Sequence, residues 1–137
     1  MSEMVKLYLV RTDLDGIGYY SYGDVYYNKD WAQIECNNHS SFDTDAGRLD
    51  SVSDILEFDI PVKNDECWMV AVYNWGDTVF LSLYTSENSA FDVQRTYIQK
   101  GYPDWDINNM QYSCVSRKKI VLTKPKTYME IMKDGCE

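Results

Sequence analysis

The sequence is short of the groups that most enzymes need. Its one histidine, His39, sits in the loose run Asn-Asn-His-Ser-Ser, poor ground for a rigid catalytic triad. No Gly-rich phosphate loop is present, because Gly16-x-Gly18 runs on into tyrosines instead of a lysine-bearing helix. The early apolar run, residues 7–10, stops at Arg11 and is far too short for a signal peptide or a membrane span. Four cysteines, Cys36, Cys67, Cys114 and Cys136, lack framework spacing; with no secretion signal, they are expected as free thiols in a reducing cytoplasm. There is no repeat, low-complexity tract or linker. These shortages disfavour an enzyme, a cofactor and a membrane protein.

Aromatic residues and acid are abundant. The 137 residues include twelve Tyr, four Trp and four Phe, which argues for a folded chain. The formal net charge is −9. Residues 1–60 hold twelve Asp/Glu against four Lys/Arg, whereas residues 61–137 hold ten against nine. Such a chain repels nucleic acid at long range and suits a basic protein partner, although solubility alone also accounts for the charge.

The expected architecture is one α+β domain over residues 1–137, a mostly antiparallel sheet carrying one or two short helices. Residues 6–11 and 19–27 read as strands joined by a turn. Residues 31–36 suit a strand or a helix capped at Asn28, and the polar stretch 37–53 reads as a surface loop. Leu56, Phe58 and Ile60 alternate with Glu57 and Asp59 in a half-buried strand. Residues 67–75 and 78–85 form a hairpin about Gly76-Asp77, with Val70 and Val72 beside Leu83 and Leu81. A helix capped at Asn88 or Ser89 follows and stops at Gly101. Strands at 110–115 and 120–123 flank a basic turn, and Thr127-x-x-Glu130 opens a last helix.

Several motifs approach chemistry without completing it. A calcium loop starting at Asp13 finds Asp15, Gly18 and Asp24 in place, but Ile17 stands where a ligand is needed; one starting at Asp43 has Arg48 at its glycine position. Cys36-x-x-His39 has the spacing of half a zinc site or of a Cys-His dyad. Its remaining ligands would be Cys67 and Cys114, isolated in strands, so no metal is expected.

The binding candidates are surface features. Tyr20, Tyr22 and Tyr26 share one strand face with Asp24, leaving rings to anchor a partner. Asp43, Asp45, Asp50 and Asp54, continued by Glu57 and Asp59, form an acidic run able to imitate phosphates in a basic groove. The alternative is a nucleotide binder that stacks bases on aromatic rings and holds phosphate with Arg117, Lys118 and Lys119.

Lys6-Leu-Tyr-Leu-Val-Arg-Thr-Asp13, followed by Tyr22-Gly-Asp-Val25, resembles the opening of small bacteriophage accessory proteins. The resemblance covers about the first quarter of the chain. It implies an accessory role, of the kind played by inhibitors of bacterial defence such as anti-CRISPR and anti-restriction proteins, in the host cytoplasm. No functional residue is carried over by it.

Overall fold

The computed structural model describes residues 3–14, 19–45, 52–74, 77–97 and 111–135. They form β1 (Met4–Leu14), β2 (Tyr19–Tyr26), α1 (Lys29–Asp45), β3 (Val52–Pro61), β4 (Glu66–Asn74), β5 (Asp77–Tyr84), α2 (Glu87–Thr96), β6 (Gln111–Val121) and α3 (Tyr128–Asp134). The α+β class with mostly antiparallel pairing stands as expected. Backbone packing divides the chain into two compact units, Lys6–Glu57 with Val121–Glu137 and Met1–Val5 with Phe58–Ile120. We call them the α1 unit and the β4 unit.

In the α1 unit the strand order is β3-β1-β2, and β1 pairs antiparallel with β2. Leu9 stands opposite Val25 and Arg11 opposite Tyr22, so three steps along β2 match two along β1. This bulge inserts one residue and turns over every side chain beyond it. Helix α1 begins at Asn28, whose Oδ1 accepts the backbone N–H groups of Asp30 at 2.8 Å and Trp31 at 3.3 Å. The helix settles the ambiguity at residues 31–36 and overturns the expected loop, since it continues to Asp45. Its polar sequence is held by packing rather than by propensity. Ala32 and Cys36, one turn apart, join Val10 and Tyr26 in the core, with Trp31, Tyr8, Ile55 and Val121 around them. Further along, Asn38 donates to the Lys126 carbonyl at 2.8 Å, and the Phe42 ring meets Tyr128 edge-on at 5.0 Å. Thr127 Oγ1 caps α3 by accepting the Glu130 N–H, as its sequence predicts.

In the β4 unit β4 lies between β6 and β5. Asn64 and Asp65 turn the chain into β4 with φ of 58° and 53°, left-handed values that these short polar residues tolerate. The hairpin differs from expectation by one residue. Asn74 pairs with Asp77, and a bulge follows, so Val72 stands opposite Phe80, Val70 opposite Ser82 and Trp68 opposite Tyr84. Met69 and Ala71 take Leu83 and Leu81 instead. The supposed basic turn is strand: β6 runs unbroken, with Arg117, Lys118 and Lys119 opposite Trp68, Cys67 and Glu66. Helix α2 starts one turn early because Ser86, not Asn88 or Ser89, caps it by accepting the Ser89 N–H at 3.2 Å. Ala90 packs against Val70 and Val72. The expected stop at Gly101 falls outside the described residues. No helix among the described residues is long and apolar enough to cross a membrane.

Candidate functional site

The one-residue shift in the hairpin carries Phe80 and Tyr84 to the face of the sheet that α2 covers. There they pack with Trp68, Val115 and Tyr97 about the buried Val70, Val72 and Ala90. Phe80 and Tyr97 stack with ring centroids 4.6 Å apart and a tilt of 35°. Beside them opens a groove of ≈ 410 Å³ lined by Phe80, Tyr84, Asp92, Val93, Thr96 and Tyr97. Its walls are apolar, and its charged group is Asp92, which lies 3.6 Å from Arg95 on the same helix. Both ends of that pair are largely exposed, so the pair holds Asp92 only weakly. Ring faces beside a loosely held carboxylate can take up a cation. Arg117 stands in register with Trp68 and Tyr84 on this face of the sheet, 3.9 Å from Glu66. Lys118, one residue on, points to the opposite face, so the three basic residues do not form one phosphate cradle.

The acidic run does not form one surface among the described residues. Asp54 accepts Arg11 Nε at 2.9 Å and Nη2 at 2.5 Å, a two-pronged pair that raises the Arg11 pKa. Glu57 lies 3.3 Å from Lys29 and 3.9 Å from Lys6. Asp59 is exposed on β3. Asp43 and Asp45 belong to the end of α1 rather than to a loop, and their side chains, with all of Asp50, lie outside the described residues. Asp54 and Glu57, three apart on one strand, also point to opposite faces.

The bulge in β2 likewise separates the three tyrosines. Tyr20 and Tyr22 remain half-buried, and the Arg11 guanidinium lies 4.3 Å over the Tyr20 ring. Tyr26, expected beside them, is 2% exposed and faces α1. It is a core residue, because the extra residue at Gly23-Asp24 breaks the period of two on which the common face rested.

What Tyr26 meets is the feature that sequence reasoning missed. Its hydroxyl donates to Glu35 Oε1 at 2.9 Å. The other oxygen, Glu35 Oε2, is buried and receives no hydrogen bond among the described residues. A Cβ at Gly23 would come within 2.7 Å of that oxygen, so any larger residue there would make the carboxyl shift. His39 Nε2 stands 4.0 Å away, and Asp24 is within hydrogen-bonding reach. Burial and then the neighbouring Asp24 push the Glu35 pKa up to about 7; burial and Glu35 push the Tyr26 phenol well above its usual value. A signal existed: once 29–45 is read as a helix, Glu35 falls on the apolar side with Ala32 and Cys36.

The described cysteines, Cys36, Cys67 and Cys114, are free thiols; burial pushes Cys36 and Cys67 up to about 11, which leaves them unreactive. Cys114, in β6, is half-buried. Among the described residues no group of three His, Cys, Asp or Glu side chains is placed to hold a metal ion. Of the supposed calcium ligands, Asp13 is in β1, Asp24 is in β2, and Asp15 and Gly18 lie outside the described residues. Comparison with protein-family models, with curated proteins and with solved structures finds no match.

Proposed function

We propose that this chain is a non-enzymatic binding protein whose partner presents a basic surface. The groove of the β4 unit carries this reading: three aromatic rings with Asp92 at their side suit an arginine or lysine side chain better than an anion. Aromatic anchors of this kind dominate many protein interfaces, and a formal charge of −9 steers a cationic surface toward the chain. This relocates the expected acidic and aromatic surface from the run at 43–59 to the β5–α2 face. The finer reading is a phage-type inhibitor of a host defence protein that handles nucleic acid, acting in the cytoplasm. It is supported by the resemblance of the first two strands and by the fact that phosphate-binding proteins are rich in exposed Arg and Lys.

Association with arginine-rich and lysine-rich peptides on a sensor surface tests the proposal. Binding weakens as salt rises, Asp92→Asn slows association, and Tyr84→Ala speeds dissociation. Salt-independent binding that ignores both substitutions would sink it. One observation favours a second reading, nucleotide sequestration: Arg117 shares the groove's face with Trp68 and Tyr84. Retention of a nucleoside triphosphate, lost in Arg117→Ala, would place that reading first, against the repulsion that Asp92 offers to phosphate.

A further inference from the structure

Glu35 Oε2 is closed to water and has no hydrogen-bond partner among the described residues; near it lie His39 Nε2, at 4.0 Å, and another carboxyl, that of the exposed Asp24. Two ionised carboxylates have only lone pairs to offer each other. One carrying a proton makes a hydrogen bond; both ionised, they repel. We propose that Glu35 and Asp24 share one proton in the folded protein, and that its loss releases α1 from β2, making this contact a proton-operated latch.

The surroundings decide where that proton resides. On α1 itself the titratable neighbours are Cys36 and His39; on β2 they are Asp24 and Tyr26. The β1 strand presents Val10 and the Tyr8 phenol to this side of the helix, and β3 presents Ile55. Asp54 is engaged by Arg11, and Glu57 lies with Lys6 and Lys29 near the helix start. At α3, Lys126 and Asp134 pair with each other. Arg11, Lys6, Lys29 and Lys126 are therefore committed elsewhere, and His39 is the basic side chain paired with Glu35. Burial places the proton on Glu35, where the carboxyl titrates at about 7 and the state changes near neutrality.

Helix α1 then transmits the change. Its Asn38 holds the Lys126 carbonyl and its Phe42 meets Tyr128, so loosening the helix at Glu35 also loosens its grip on α3.

Hydrogen exchange of the whole protein tests the latch, with rates corrected for base-catalysed intrinsic exchange. Protection of the α1 amides falls about 10-fold or more between pH 6 and 8, while α2, in the other unit, keeps its protection. In Glu35→Gln the side-chain amide donates permanently to Asp24, and α1 protection stays constant. In His39→Gln the pH dependence persists; its disappearance there would assign the transition to the histidine and overturn the proposal. Should Glu35→Gln not fold, the carboxyl carbon resonance of Glu35 in the unaltered protein decides alone. A midpoint near 7 supports the shared proton, and one near the ordinary 4.5 refutes it.

Discussion

The two units bury different things. In the β4 unit the sheet and helix close over aliphatic and aromatic carbon: Val70, Val72 and Ala90 are at most 1% exposed, with Phe80, Tyr84, Tyr97 and Val115 around them. In the α1 unit an apolar cluster of similar size encloses a phenol donating to a carboxyl, and a threonine hydroxyl 2.9 Å from Ser53 lies on a neighbouring strand. Burying carbon is favourable almost without regard to direction, whereas burying polar groups is tolerable only when each finds a partner. The β4 unit should therefore be stable over a wide pH range and leave ring faces for recognition. The α1 unit's stability should depend on protonation.

The largest effect expected comes from opening the apolar side. Leu83→Ala removes a side chain that is 1% exposed on β5 and should cost about 2–5 kcal/mol, the same at pH 5 and pH 8. Urea unfolding at the two pH values measures it; a strongly pH-dependent loss would break the contrast between the units. Tyr26→Phe comes next. It leaves Glu35 Oε1 without its donor, which costs about 1–3 kcal/mol, and the loss should be greater at pH 8, where Glu35 is charged.

The unaltered protein should itself respond to pH. Glu35 titrates at about 7 when folded against an ordinary 4.5, so between these values the native state holds a proton that the unfolded chain has released. Stability is then highest at the acid end of this window, falls as pH climbs through it, and levels off above it. The urea midpoint followed from pH 5 to 8 should decline in the unaltered protein and lie flat over that range in Glu35→Gln. Arg11→Leu, which frees Asp54 and uncovers Tyr20, should cost about 1 kcal/mol, because the pair is partly exposed. Smallest is Asp59→Asn on the exposed side of β3, expected within about 0.5 kcal/mol of no change. A loss above 1 kcal/mol there would mean that Asp59 has a structural role.

Alternation and capping were legible before any coordinates. Branched and aromatic residues mark β1, alternation marks β3, Thr127 announces α3, and Asn28 offers a cap for α1. These signals are local: a few residues suffice to set a strand face or satisfy a helix end. The class, α+β with mostly antiparallel pairing, follows from them.

Register and helix length were decided elsewhere. Two bulges, one at Gly23-Asp24 and one in β5, each insert a residue and reverse which side chains share a face. They send Tyr26 inward, away from Tyr20 and Tyr22, and bring Phe80 and Tyr84 onto the face beneath α2. The polar segment after Cys36 is helix because Asn38 and Phe42 find partners around α3, some 90 residues further along the chain. Composition determined that the protein is acidic and rich in aromatic rings. Tertiary structure decided which rings gather beside Asp92, which carboxylates meet Arg11, Lys6 and Lys29, and that Glu35 is buried against Asp24. A sequence fixes the spacing of side chains along each segment, but a face is shared across segments, and one inserted residue is enough to exchange it for the other.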